Sequence, residues 1–567
     1  MPLLASGDYR PDVSDYEGQA TRNILNVIPR GDGYGPFPAF TAYTSALPSA
    51  CRGAFYALKS DGTVVTFAGT STRLYKLNNT DFTWSDVSSG GTNYSALSSS
   101  AQWQFAQTGN LVFATQANAP LQVFDLTAST AFSSALGSPP QAAYISVVGR
   151  FLVLSGLLST PYRIQWSGLN NFNAATSWDG VTAGSDHQDF PDGGIVRGVA
   201  GGESGIIFQD QAIRRMSYVP GSPFTFQIDR ITQDKGLYAP YSIIRAGERI
   251  FFYAGQGFHK IEPGGVPEQI GREKVDRTFL TDLDKGNLQL FIGAADPRST
   301  RVYWAYKSVS GANGIYDKLL GYDFLLDRFF PVLSTGEYLL GMSQTGLTLE
   351  NLDALAPGAI PIIGAANNGA GLIRLTIGAT SALTTNQVIS VSGVIGTVEA
   401  NAENWKITVI DGTHVDLQGS SFANAYVSGG TIGGSIDAMT LSLDAYATAV
   451  QPEIAQFSAV HLLGFFRGDS LEATVESAEQ GTDESRVMIR GFRPITDAAT
   501  IFGSVSYRDT PAAVATSGSE ILVNARTGRC DVRRETRYTR FKVRIPAGTS
   551  WTFCAGVVPD LTESGTL

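Results

Sequence analysis

From about Phe55 to Met342 the sequence writes one short strand-rich unit several times over, and this repetition narrows the accessible folds more than any other feature. Each pass holds a run of strand-forming residues, a tight turn, a second aromatic-rich run and polar punctuation. Residues 63–67 lead to 73–77 and 82–84, 111–115 lead to 121–126, and 151–154 lead to 162–166. Further on, 206–209 lead to 213–218 and 224–228, 249–253 to 258–262, and 301–306 to 319–324 and 329–332. The passes start roughly 40–60 residues apart, the spacing of small antiparallel sheets stacked around an axis. Turn signals such as Ser60-Asp61-Gly62, Gly201-Gly202, Pro220-Gly221 and Pro263-Gly264-Gly265 separate the runs. Long helical patterns are almost absent, and short candidates such as 276–283 sit between strands. The expected fold is therefore all-β: a β-propeller of about six blades, with the weak stretch 86–105 as the place for a seventh.

The chain has 567 residues, more than one ordinary core accommodates, so further domains are expected. Residues 1–50 carry many prolines and few periodic runs and read as an N-terminal extended arm. Apolar residues such as Ile24, Val27, Phe37 and Phe40 require that arm to lie against something. The propeller occupies 51–357. At about Pro357 the texture changes, and 358–435 read as an inserted small β-barrel module with strands at 373–377, 388–392, 405–410 and 415–417, closed off by 426–430. Residues 351–355 and 435–438 flank it as though one loop had opened to receive it, which loop tips tolerate. Residues 436–567 alternate again, at 439–443, 460–465, 470–477, 486–490, 501–507, 520–525, 538–545 and 551–557. They read as a C-terminal β-sandwich or platform that shares strands with the arm.

Composition limits function. Only 16% of residues are charged, against about 25% in an average domain. Ser, Thr, Asn, Gln and 62 glycines carry the polar surface instead, a profile that suits turn-rich β structure with much of its surface against copies of itself. A net charge of −10 argues against a general nucleic-acid grip, which needs a basic footprint. Cys51, Cys530 and Cys554 have no metal-ligand spacing; a bridge between Cys530 and Cys554 is conceivable, but reduced buried thiols are expected. The N-terminus lacks the basic segment and apolar run of a signal peptide, and no apolar run approaches the roughly 20 residues of a membrane span.

Motifs of catalytic chemistry are sparse in the sequence. His187, His259, His414 and His461 lie in separate segments and read as surface or packing residues. Asp186, Asp189 and Asp192 around His187 are a candidate cation loop, although they lack the alternating spacing of a calcium site. Ser60-Asp61-Gly62-Thr63 resembles one Asp-box turn of sialidase propellers, without a second copy. Arg533, Arg534 and Arg537, with Arg540 and Arg544, form the one dense positive patch. Alternation on a strand would put Arg533, Glu535 and Arg537 on one face, available to an acidic neighbour or a DNA phosphate. No catalytic, cofactor-binding or metal-binding residue is assigned, and no enzymatic step is expected.

Several short motifs resemble a known family. Asn26-Val27-Ile28-Pro29, followed by Asp32-Gly33-Tyr34-Gly35-Pro36, looks like the start of the tail nozzle (hub) proteins of short-tailed phages, which include packaged-DNA stabilisation proteins. Residues 349–355, 436–443 and Leu471-Glu472-Ala473-Thr474 are similar to the later part of that family. Arg537-Tyr538-Thr539-Arg540-Phe541 and 546–556 resemble a C-terminal tail of phage virion proteins. The inserted module separately resembles the first catalytic-cysteine half domain of ubiquitin-activating enzymes, through Val391-Ser392-Gly393-Val394, Gly396-Thr397, Trp405 and Ser428-Gly429-Gly430. It holds no cysteine, and no ubiquitin chemistry is implied. The resemblance implies a structural virion protein in a homo-oligomeric, hexameric ring below the portal and adaptor. Tail fibre or needle proteins would lie nearby, and DNA would pass through the lumen without sequence-specific binding. Two alternatives belong to other classes: a host receptor- or glycan-binding tail protein using the module or exposed aromatics such as Trp178 and Phe190, and a propeller glycosidase.

Overall fold

The computed structural model describes residues 3–14, 20–181, 184–222, 224–343, 360–378, 383–434, 452–481 and 484–566. Runs such as Val64–Gly69 and Phe151–Leu157 are buried almost throughout, as β-branched and aromatic residues are when a strand is covered on both faces. Each lies second in a four-stranded antiparallel meander. The first is Ala54–Leu58, Val64–Gly69, Leu74–Leu77 and Trp84–Asp86. Five more follow over 104–134, 142–189, 196–232, 244–269 and 292–336. The first strands of successive sheets stand side by side, so the sheets are blades around a common axis.

A seventh sheet closes the circle. Its strand order is Tyr338–Ser343, Pro452–Phe457, Leu462–Ser470 and Pro38–Ala46, and Tyr338–Ser343 neighbours Ala54–Leu58 of blade one. The propeller thus has the six blades read from the repeats and one more, which lies outside 86–105. That stretch holds the 3₁₀ turn Ser89–Gly91 and then enters blade two at Gln104–Thr108. Blade seven escaped the repeat pattern because its strands come from three distant segments.

The blades are held together by the apolar layers between them. Phe67, Trp103, Phe124 and Phe132 fill the seam between blades one and two. The densest aromatic seam lies between blades five and six, where Phe258 meets Trp304 at 4.5 Å and the helix Asp276–Asp282 contributes Phe279. Such ring pairs add about 0.5–1.5 kcal/mol beyond their buried area.

The platform is a sandwich of two sheets. One runs Cys530–Thr536, Ser485–Thr496, Cys554–Thr566, Gly33–Pro36, Val27–Arg30, with Leu4–Ala5 also on Cys554–Thr566. The other runs Ile24–Leu25, Ala473–Glu476, Tyr538–Ile545, Phe502–Arg508, Thr516–Ser517. Phe492 and Phe541 meet between them at 5.1 Å. The N-terminal segment is therefore shared out: Leu4–Ala5, Ile24–Leu25, Val27–Arg30 and Gly33–Pro36 join the sandwich, Asp8–Tyr9 and Ala20–Thr21 pair in parallel as a small sheet of their own, and Pro38–Ala46 forms the outer edge of blade seven. The boundaries at 50 and 436 need correcting on this point. Residues 38–46 and 452–470 belong to the propeller, because closing a ring of blades requires strands from both sides of the insertion.

The inserted module is a closed six-stranded barrel, in the order Ile360–Asn367, Ile373–Ile377, His414–Leu417, Ala402–Val409, Val388–Ser392, Thr431–Gly434. Ile373, Leu375, Ile377, Ile389, Ile407 and Val415 alternate inward to fill it. The flanks at 351–355 and 435–438, and the strand expected at 439–443, lie outside the described residues.

Candidate functional site

The structure gives most of the candidates local partners. Asp189 takes both nitrogens of a fork from Arg163, at 2.6 and 2.9 Å, and Asp192 accepts from Arg214 and Arg230. Asp186 stands 3.6 Å from the His187 ring. The three carboxylates answer different bases and do not converge. Ser60-Asp61-Gly62-Thr63 is the hairpin turn of blade one: Asp61 accepts from the Thr63 N–H at 2.9 Å and meets Lys59 at 3.0 Å. Hydrogen bonds from Thr63, with Lys59 alongside, lower its pKa to about 2.

The histidines separate in the same way. His414 contacts Asp411 at 2.9 Å and His461 contacts Glu337 at 2.6 Å. His259 is buried, donates Nδ1–H to the Gly257 carbonyl at 2.9 Å and stacks on Phe252. Burial lowers its pKa, which keeps the ring neutral. Trp178 and Phe190, expected to be exposed, are 9% and 5% exposed and close the seams beside blade three, so neither offers a sugar platform. Cys51, Cys530 and Cys554 are buried free thiols, and burial raises Cys530 to about 11 and Cys554 to about 12.

The arginine run also divides. Cys530–Thr536 and Tyr538–Ile545 belong to opposite sheets of the sandwich, so Arg537 sits at the corner between them and does not share a strand face with Arg533. Arg544 meets Glu520 at 2.8 Å and Glu472 at 2.9 Å, and Arg540 lies 3.7 Å from Glu479. Arg534 covers the Tyr507 ring at 3.9 Å. Arg533 has no side-chain partner among the described residues and lines a groove of about 760 Å³ with Met488, Arg490, Arg529 and Asp531.

A second concavity, of about 510 Å³, lies where the N-terminal segment crosses blade six and the helix Asp276–Asp282. At its floor Asp282 accepts from the Tyr306 hydroxyl at 2.8 Å and from Lys318 at 2.7 Å. Tyr9 lines the same cleft, and burial, then Asp12 and Asp282, push its phenol up to about 12. Ile24, Val275, Phe279, Leu320 and Val332 supply an apolar wall. A carboxylate neutralised by an ammonium, beside phenols held protonated, suits docking of a chain segment better than general-base work.

The strongest constellation sequence reasoning did not foresee is the junction around Asn26. Its backbone has φ 55°, in the left-handed region, and its side chain is buried. Nδ2–H donates to the Glu472 carbonyl at 2.9 Å and Oδ1 accepts from the Leu333 N–H at 2.8 Å. The Asn26 N–H donates to Pro331 at 3.1 Å and its carbonyl accepts from Phe37 at 3.2 Å. One residue thus joins the N-terminal segment, blade six and the sandwich. The following hairpin continues the seam: Arg30 donates to Thr552 at 3.0 Å, and the buried Tyr34 hydroxyl donates to Gly7 at 2.7 Å. At Gly33 (φ 142°) a Cβ would lie 2.3 Å from the Cys554 carbonyl, so only glycine lets the C-terminal strand approach. The signal was available in the sequence as the Asn-Val-Ile-Pro and Gly-Tyr-Gly motifs, but not their partners.

No protein-family model matches the chain, and no curated protein matches it. Similar solved structures include the WD40 domain of Neurospora crassa Pan2, with 6% identity, a TM-score of 0.33 and coverage of 59% of this chain and 91% of that one. The RRP9 WD40 repeats show 8% identity and a TM-score of 0.32 over 68% of this chain and all of theirs (100%). The extracellular domain of BT4673, a putative one-component system from B. thetaiotaomicron, shows 9% identity and a TM-score of 0.32. The match covers 62% of this chain and spans 45% of that one. Among the described residues no helix is long and apolar enough to cross a membrane.

Proposed function

We propose that this chain is a structural subunit of a phage tail, of the nozzle type. It would assemble with copies of itself into a ring below the portal and adaptor and line the DNA exit channel. One observation carries the reading: two of the stretches through which the sequence resembles the nozzle family, residues 26–36 and Leu471-Glu472-Ala473-Thr474, meet where its parts join. Asn26 and the hairpin Val27–Arg30/Gly33–Pro36 tie blade six to the sandwich, and Tyr538–Ile545, which contains most of the motif shared with the C-terminal tail of phage virion proteins, is the central strand of one sandwich sheet. Motifs placed at a junction are what a shared architecture requires, because each such residue answers several partners at once.

The charge balance supports the same reading. A net charge of −10 on a sparsely charged surface favours broad subunit contacts and a lumen that lets the DNA backbone slide. In this role the protein performs no catalytic step and acts in the virion after synthesis in the host cytoplasm. Native mass measurement and electron cryomicroscopy of the purified chain with its adaptor test the reading. A closed ring docked coaxially on the adaptor is expected. A peripheral trimer, or cleavage of host-surface polysaccharide by the purified chain, would overturn it.

A further inference from the structure

In a four-stranded meander the turns between strands one and two and between strands three and four emerge at the same end. Blades arranged alike around one axis therefore gather those turns on one face of the propeller. On blades four, five and six the strand three-to-four turns carry Phe224, Val266 and Leu325, which are 74%, 67% and 76% exposed. Large apolar side chains at successive blade tips make a patterned surface, unlike single scattered ones. The strand one-to-two turns of blades four and five add Glu203 and Glu248, both exposed and both without an ion-pair or hydrogen-bond partner among the described residues. Their neighbours Arg215 and Arg245 are engaged elsewhere, donating to the Gly265 and Gly201 carbonyls.

The groove on the platform is the counterpart. Arg529 bridges Asp531 and Asp560, each at 2.8 Å, and so is used within the sheet. Arg490 and Arg533 sit opposite one another at the register shift between Ser485–Thr496 and Cys530–Thr536. Both are exposed, and neither has a side-chain partner among the described residues. Met488 supplies an apolar floor. Two free guanidinium forks in one groove are matched to carboxylates. A nucleic-acid backbone fits less well: Arg490, Arg529 and Arg533 against Asp531 leave the lining at +2, Asp560 beside Arg529 lowers the local charge to +1, and DNA offers nothing to the apolar tips.

We propose that the loop face of blades four to six, with Glu203 and Glu248, receives the Arg490–Arg533 groove of a second copy of this chain. The proposal rests on the ring reading above and specifies its subunit contact. Glu203 and Glu248 lie on blade turns and Arg490 and Arg533 on a platform sheet, and among the described residues no ion pair joins them within one chain, so they are left to meet between copies, head to tail. Such a heterologous contact generates a ring when its rotation closes.

The test is charge reversal in the full-length protein, read by native mass spectrometry with thermal unfolding as the fold control. R490E/R533E and E203R/E248R are each expected to shift the assembly to single subunits with an unchanged unfolding temperature. The fourfold variant is expected to recover the assembly. A wild-type assembly that survives both double reversals would overturn this contact while leaving the ring reading standing. A wild-type chain that stays monomeric with its adaptor present would overturn both. An intact assembly in which R490E/R533E instead loses salt-dependent DNA binding would make the groove a nucleic-acid contact and overturn the proposal.

Discussion

Asn26 has a small polar side chain that tolerates left-handed backbone and carries both an N–H donor group and a carbonyl acceptor, and its site uses all three properties. Asn26→Ala keeps the strain and orphans the Glu472 carbonyl and the Leu333 N–H. A loss of about 2–4 kcal/mol in denaturant unfolding is expected, and a change below about 0.5 kcal/mol would contradict the junction role. Asp276 has the opposite character. It is buried at the start of its helix and accepts from Phe258 N–H at 3.0 Å and Gln269 Nε2–H at 2.9 Å. Burial nonetheless raises its pKa to about 6. The folded state thus holds the proton more tightly than the unfolded chain. Its stabilising contribution is complete below the ordinary carboxylate value of 3.8 and is lost as pH rises through about 6. Asp276→Asn keeps an oxygen for Phe258 and removes the titration. Relative to that variant, the wild type is expected to lose on the order of 2 kcal/mol between pH 4 and 7, with residual solvent contact already discounted. Parallel unfolding-temperature curves for the two proteins over that range would refute the assignment.

At the scale of elements, one pairing within blade seven marks where the insertion departs from the host. Ser343 and Pro452 face each other at the end of adjacent antiparallel strands, so the chain leaves and re-enters the blade at neighbouring points. An insertion there imposes little loop-closure cost on the host, because its ends are already held together. Replacing residues 344–451 by an Asn-Gly hairpin turn should therefore leave a soluble propeller and platform. The expected readout is a cooperative thermal transition within a few degrees of wild type; loss of folded protein would refute the insertion reading. The barrel was legible beforehand because its strands alternate and its glycines close each run. The strand expected at 405–410 appears as Ala402–Val409, and Trp405 is fixed through Nε1–H to the Ala400 carbonyl at 2.8 Å.

For the whole molecule, the N-terminal segment is the connection that sequence reading understated. It pairs with Cys554–Thr566, Ala473–Glu476 and Leu462–Ser470, three elements more than 400 residues away. Deleting residues 1–37 removes its sandwich strands but keeps the last strand of blade seven, whereas deleting 1–50 removes both. The shorter truncation is expected to lose the platform and retain a propeller transition in calorimetry, and the longer one to lose cooperative unfolding altogether. Wild-type behaviour of the longer truncation would show that the ring closes without Pro38–Ala46.

Local pattern decided the texture of the chain: strand period, turn chemistry and burial of β-branched runs are written within a few residues of each other, so six blades, the barrel and the all-β class were readable directly. The same locality left the arginine cluster ambiguous. That Arg544 is paired depends on Glu520 and Glu472, which lie 24 and 72 residues away in sequence and reach it from beside other strands of its own sheet. The seventh blade, the division of the N-terminal segment and the Asn26 junction were decided only in three dimensions. Each is a pairing between strands hundreds of residues apart, and such a pairing leaves no periodic trace in either partner. Its driving force is the burial and hydrogen bonding gained once both strands have been brought to the same edge.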